Sequence, residues 1–183
     1  MNFIPTKLNG CYIIESKIIK DDRGYFMESF NKNTFQNGIG QEINFVQDNQ
    51  SFSTKGVLRG LHYQIGEYAQ AKLVRVLQGE VLDVAVDIRP NSSTYGQYEA
   101  VVLSAENQRQ FFVPRGFAHG FLVLSNTATF FYKCDNFYNK ESEGGLIYND
   151  STININWQFD TEKLIISEKD SVQPTLENAR KIW

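Results

Sequence analysis

Three features of the chain predict an all-β domain, a sandwich or barrel with short flanking helices. Short apolar runs recur along its length, separated by turn residues such as Asp21-Asp22-Arg23-Gly24, Gln78-Gly79 and Ser125-Asn126. Two of those runs, Lys72 to Leu77 and Glu80 to Ile88, alternate with the period of a strand. Aromatic residues make up 14% of the 183 residues and there are only four prolines, a balance suited to pleated strands around a ring-lined cavity. Residues 1–183 are read as a single domain, long enough for a substantial core.

Taken in order, Met1 to Gly10 reads as an arm or first strand and Cys11 to Ile19 as a strand. Tyr25 to Phe30 resumes the extended pattern after the Asp21–Gly24 turn. Asn31 to Asn37 is a short helical region ended by Gly38. Phe45 to Phe52 is extended and rich in amides, Gly56 to Gln64 follows, and a loop passes through Gly66-Glu67-Tyr68. Pro90 to Gly96 is a loop, and Tyr98 to Leu103 and Gln108 to Val113 are strands. Asn136 to Gly145 is polar and irregular. A strand is expected within Leu146 to Trp157 and a short helix over Pro174 to Trp183.

Two hairpins are expected to organise the rest. Folding about Gln78-Gly79 sets Leu77 opposite Glu80, Val74 opposite Asp83 and Lys72 opposite Ala85. Leu82, Val84, Val86 and Ile88 then share one face, and Val81, Asp83, Ala85 and Asp87 the other. Lys72 and Asp83 become diagonal neighbours, readable as a solvent-facing ion pair or as a charged pair in a barrel mouth. Folding about Ser125-Asn126 pairs Val123 with Ala128, Phe121 with Phe130 and His119 with Tyr132. That register projects a histidine and a tyrosine together from an apolar lining.

Composition removes several classes of function. A net charge of −3 and a pI near 5.4 offer no basic field for nucleic acid or an anionic membrane. No apolar run approaches a membrane span and Met1-Asn2-Phe3 opens no signal peptide, so a cytoplasmic location is expected. Cys11 and Cys134 are too few for a disulfide framework or a zinc site and read as free structural thiols. Neither phosphate-loop glycine motif is present, and no serine stands in a nucleophile elbow.

What remains is acid–base chemistry. Both histidines of the chain sit in glycine-marked motifs, Gly60-Leu61-His62 and Pro114-Arg115-Gly116-Phe117-Ala118-His119-Gly120. The second motif resembles that of the cupin superfamily, Pro-x-Gly-x-x-His. A metal-binding first cupin motif would need His-x-His and a glutamate. This chain has His62, Gln64 and then Lys72, so no catalytic metal is expected. An imidazole can take a proton near neutrality, a phenol can protonate a strongly basic enolate carbon, and an ammonium can stabilise the enolate oxygen. Such a set suits proton removal beside a carbonyl and return from the opposite face.

Eight segments together resemble the dTDP-4-dehydrorhamnose 3,5-epimerase family. They are Asp22-Arg-Gly-x-Phe-x-Glu28, Gln47-Asp48-Asn49, Arg59-Gly-Leu-His-Tyr-Gln64, Lys72-Leu-Val-Arg-Val76, Asp83-Val-Ala-Val-Asp-Ile-Arg89, Pro114-x-Gly-Phe-Ala-His-Gly120, Tyr132-Lys133 and Ser167-Glu-Lys-Asp170. The likeness runs in order from about Arg23 to Leu176. It implies a cupin-type jelly-roll homodimer with exchanged N-terminal arms and no metal or organic cofactor. The implied substrate is dTDP-4-dehydro-6-deoxy-D-glucose, inverted at C3 and C5 to dTDP-4-dehydro-L-rhamnose on the route to dTDP-L-rhamnose. Carried over by position, His62 is the base, Asp170 its carboxylate partner, Tyr132 the acid and Lys72 the enolate stabiliser. His119 lies beside the sugar. Arg23, Glu28, Gln47, Asp48, Asn49, Arg59, Glu143 and Lys169 correspond to nucleotide-sugar contacts, and Tyr138 to a ring stacked on thymine.

Ala71 stands where the family commonly has glycine, and Gln158 where proline is usual. Strict alternation puts Arg59 and His62 on opposite faces; a bulge at Gly60 would bring both to one ligand. Two other functions compete: a nucleotide-sugar enzyme that inverts one carbon, and a non-catalytic sugar-nucleotide-binding cupin.

Overall fold

The computed structural model describes residues 1–183, and strands dominate it. In chain order these are β1 (Asn2–Pro5), β2 (Tyr12–Glu15), β3 (Ile18–Asp21), β4 (Gly24–Met27), β5 (Gln47–Thr54), β6 (Val57–Gln64), β7 (Lys72–Gln78) and β8 (Glu80–Asp87). They continue with β9 (Tyr98–Ser104), β10 (Gln110–Val113), β11 (Phe117–Val123), β12 (Thr127–Cys134), β13 (Glu143–Gly145) and β14 (Ile165–Ile166). Two helices complete the set, α1 (Lys32–Ile39) and α2 (Glu168–Ser171). The first sheet runs β1-β2-β10-β7-β12-β5 and the second β13-β6-β11-β8-β9, with β14 parallel to β6. The hairpin β3–β4 stands outside both sheets.

The sheets pack face to face as a sandwich. Val74 and Val76 of β7, Phe111 of β10 and Phe130 of β12 meet Val81, Ala85, Leu103, Phe121 and Val123 from the second sheet. Both outer faces are covered too. Helix α1 lays Phe35 and Ile39 over Ile14, Leu73 and Phe112. The C-terminal segments lay Leu146, Ile153, Trp157, Leu176 and Ile182 over Leu58, Leu82, Val84, Val86 and Leu122. Coverage on both sides explains why β11, and β8 after Glu80 at its start, are apolar or paired on every residue.

The two expected hairpins do not form as in-sheet pairs. β7 pairs with β10 and β12, whereas β8 pairs with β9 and β11. β12 pairs with β5 and β7, not with β11. The links at Gly79 and Ser125-Asn126 carry the chain from one sheet to the other. Gly79, at φ 79°, leaves no room for a Cβ against the Thr127 carbonyl, and the Ser125 hydroxyl accepts the Glu80 N–H at 2.8 Å. The predicted face partners survive, because alternation reports a shared interior without saying which neighbour shares it. Phe121 and Phe130 stack across the gap at 4.1 Å between centroids. Lys72 and Asp83 do not pair; Asp83 binds His119 instead.

Other expectations shift in detail. Cys11–Ile19 breaks into β2 and β3. The helix runs past Gly38 because that glycine packs on the Phe3 ring, and Gly40 provides the left-handed cap at φ 71°. Leu146–Trp157 forms turns, not a strand, with Asp150 accepting the Thr152, Ile153 and Leu176 N–H groups. Pro174–Trp183 is not helical: its backbone bonds to other segments, the Leu176 N–H to Asp150, the Arg180 carbonyl to the Tyr63 hydroxyl and the Ile182 carbonyl to the Gly66 N–H. Gln158 sits at φ 54°, closed to proline. Cys11 and Cys134 are buried free thiols.

The bulge at Gly60 is present. β11 pairs His119 with His62 but Phe121 with Arg59, so β6 carries one extra residue. Gly60 has φ 119°, and a Cβ there would lie 2.7 Å from Gly120 Cα and 2.8 Å from the His119 carbonyl oxygen. Both contacts are backbone, so neither relaxes cheaply. Gly60→Ala is expected to cost at least about 2 kcal/mol of stability or to prevent folding, read by urea unfolding of the two proteins.

Candidate active site

A cavity of about 560 Å³ opens between the sheets at one end of the sandwich. The second sheet contributes His62 and Arg59 from β6 and His119 from β11. The first contributes Lys72 from β7 and Tyr132 from β12. A second, polar pocket of about 370 Å³ shares His62, Lys72 and Tyr132, so the two are lobes of one cleft. Its walls add Gln47, Asn49, Tyr138 and Glu143.

His62 owes its setting to the bulge and to α2. Ser167 caps α2 through the Asp170 N–H, and β14 lies along β6 just before it. Asp170 is thereby turned toward β6, where one carboxylate oxygen meets His62 Nε2 at 2.6 Å and the other accepts the Gly60 N–H at 3.2 Å. Burial pushes the Asp170 carboxyl up, but its bonds to His62 and Gly60 outweigh that and hold it below its usual value. An ionised carboxylate only accepts, so Nε2 carries a hydrogen, and in the neutral ring the lone pair is on Nδ1.

His119 is more deeply placed. Its Nε2 donates to both Asp83 oxygens, at 2.9 and 3.0 Å, and its ring lies over Phe130. Burial lowers its pKa despite the Asp83 charge. Lys72 has no carboxylate partner; its Nζ lies 5.9 Å from the centre of the Tyr132 ring, and burial lowers its pKa. Arg59 is likewise free of a carboxylate, donating to Ser53 at 3.0 Å. Burial raises the Tyr132 phenol. No group of three His, Cys, Asp or Glu side chains has metal-holding spacing.

The remaining candidates divide. Alternation along β5 turns Gln47 and Asn49 inward, bonded to each other at 3.0 Å, and turns Asp48 outward to pair with Lys133 at 2.9 Å. Tyr138 touches Glu143, which binds Lys169 at 2.6 Å. Arg23 lies at the β3–β4 tip, paired with Asp21, and Glu28 accepts from Asn31; neither lines this chain's cleft. Phe121 and Phe130, read from sequence only as lining neighbours, are cavity walls, as is Ser167, which opens the Ser167–Asp170 motif; Ile165 and Ile166 also line it and carried no sequence signal beyond preceding that motif.

A cupin-type β-sandwich whose cleft joins a carboxylate-backed imidazole, a phenol and unpaired cations defines an acid–base enzyme for an anionic ligand. The family profile described as dTDP-4-dehydrorhamnose 3,5-epimerase matches residues 5–178. A dTDP-4-dehydrorhamnose 3,5-epimerase of Shigella flexneri is 54% identical over 170 residues, 93% of each chain. The crystal structure of the enzyme of that name from Elizabethkingia anophelis is 54% identical, with a TM-score of 0.95 over 100% of this chain and 99% of that one. A dTDP-6-deoxy-D-glucose-3,5-epimerase from Legionella pneumophila, solved in complex with dTDP-4-keto-L-rhamnose, is 50% identical, with a TM-score of 0.93 over 97% and 93%. The chain belongs to the dTDP-4-dehydrorhamnose 3,5-epimerase family, isomerases that act on a nucleotide sugar.

The Asp170 carboxylate favours folding above its ordinary pKa of 3.8, and that contribution is lost as the pH falls through its lower folded-state value. Asp170→Asn is therefore expected to be less stable than the wild type at neutral pH, with the gap narrowing below that value. Urea unfolding of both proteins across this range checks it; a constant gap would refute the linkage.

Proposed function

We propose that His62 and Tyr132 carry out the two inversions from opposite sides of the sugar ring, with Lys72 holding the intermediate's charge. The activity is that of a 3,5-epimerase, converting dTDP-4-dehydro-6-deoxy-D-glucose to dTDP-4-dehydro-L-rhamnose. C3 and C5 both flank the C4 ketone, so loss of either proton gives the same kind of enolate. His62 Nδ1 takes the proton and Asp170 stabilises the resulting imidazolium. The unpaired Lys72 ammonium meets the enolate oxygen. Tyr132 returns a proton from the other face; burial makes the phenol a weaker acid, but an enolate carbon is basic enough to take it. One observation carries this reading: the imidazole and the phenol rise from facing sheets into one cleft.

Arg59 and Lys169 supply charge for the diphosphate, and Tyr138 a ring for the thymine. Gln47, Asn49, His119 and Glu143 contact the nucleotide sugar. Arg23, Glu28 and Asp48 lie outside this chain's cleft and belong to a neighbouring one in a homodimer. The projecting β3–β4 hairpin supports this, since Ile19, Tyr25 and Phe26 are all more than half exposed on it.

In deuterated water, turnover is expected to place deuterium at both C3 and C5, read by NMR; label at one carbon would make the protein a single-position epimerase. His62→Ala should lower kcat by a factor on the order of 10³ and remove exchange at both carbons. Tyr132→Phe should retain exchange and lose inversion. Mixing Arg23→Ala with His62→Ala should restore activity that neither has alone, since a mixed dimer holds one intact cleft. No gain on mixing would place Arg23 in its own chain's site.

A further inference from the structure

We propose that Gln64 is a positioning residue that aims the nucleobase-stacking ring of Tyr138 into the cleft, and so sets affinity for the dTDP portion of the substrate. The inference rests on the reading of Tyr138 given above.

Gln64 follows His62 by two residues on β6, so both side chains leave the strand on the cleft face. Its side chain is buried, and all of its hydrogen bonds go to backbone of two loops. Nε2 donates to the Tyr68 carbonyl at 3.0 Å and to the Phe137 carbonyl at 3.2 Å, and Oε1 accepts the Asn139 N–H at 2.6 Å. Phe137 and Asn139 are the residues on either side of Tyr138. The amide therefore grips the chain immediately before and after the ring while leaving the ring itself 54% exposed.

Tyr138 has little else to hold it. Its hydroxyl reaches Glu143 at a long 3.3 Å, and Asn136 is tied to the Glu67 carbonyl two residues upstream. Within the loop, Phe137 N–H donates to Asn136 Oδ1 and Asn139 Oδ1 accepts the Glu141 and Ser142 N–H groups; from outside the loop, only Gln64 bonds the two residues that flank Tyr138. A glutamine suits the task because it offers donor and acceptor on one rigid plane, and the loop presents carbonyl and N–H in that order. Removing it leaves the Asn139 N–H and two carbonyls without partners, so the loop must swing outward to find water. The strand that holds the base thus also holds the base-stacking loop, and substrate docking and proton abstraction share one frame.

The test is a double-mutant cycle on the full-length protein, measuring steady-state kinetics with the 4-keto-6-deoxy sugar nucleotide and calorimetric binding of dTDP. Gln64→Leu is expected to raise KM and the dTDP Kd about tenfold while kcat stays within about threefold. In a Tyr138→Ala background the same change should add less than about twofold, because the ring it positions is already gone. Gln64→Glu keeps the side-chain volume and the acceptor for Asn139 but loses both donors. It should fall between wild type and Gln64→Leu, and it carries the same cycle if the leucine variant does not fold. A full loss repeated in the Tyr138→Ala background, or a fall in kcat at unchanged KM, overturns the positioning role alone. An unchanged dTDP Kd in Tyr138→Ala overturns the stacking role of Tyr138 and this inference with it.

Discussion

The gap between two packed sheets is the constraint on which the site depends. Facing sheets lie roughly 10 Å apart, which is filled by side chains where the core is closed and left open where it is not. Phe121 and Phe130 stack across the gap and form part of the cavity wall. Beyond them the gap stays open as the cleft, with imidazoles rising from one sheet and a phenol and an ammonium from the other. A single sheet could offer these groups to only one side of a planar intermediate. Because both outer faces of the sandwich are also covered, the strands bearing these groups are held from both sides.

Charge in the cleft is arranged by which groups have partners. Asp170 is committed to His62 and Gly60, and Asp83 to His119. Lys72 and Arg59 are left without carboxylates. Lys72 is partly removed from water, so leaving it unpaired is unfavourable and an anion beside it is favourable; Arg59 is exposed and keeps its contact with water. An enolate oxygen and a diphosphate are anions suited to those places. Lys169 differs, being already bound to Glu143, so an arriving phosphate would have to compete with that pair.

Much of this was legible in the chain. The alternation of β8 assigned Leu82, Val84 and Val86 to one face and Val81, Asp83 and Ala85 to the other, and the core clusters divide in that way, with Asp83 on His119. The awkward phase between Arg59 and His62 pointed to the bulge at Gly60. What misled was proximity along the chain: Gln78-Gly79 and Ser125-Asn126 look like hairpin turns, yet each bridges the sheets. A period-two pattern is the same whether the next strand lies beside it or across from it. The expected C-terminal helix failed for a related reason, since Leu176 and Ile182 are separate plugs in the outer face of the second sheet.

By itself the sequence determined the all-β class, the residues that share an interior and, through eight ordered motifs, the family. Those are properties of local alternation and residue identity, which survive without coordinates. Tertiary structure alone decided which sheet each strand joins, that Asp48 faces away while Gln47 and Asn49 face in, and that Arg23 and Glu28 stand clear of their own chain's cleft. It also decided the duty of Gln64, whose partners lie 4, 73 and 75 residues away. Such pairings depend on how loops return over the sheet, and that path is set by packing between distant segments, which no local pattern encodes.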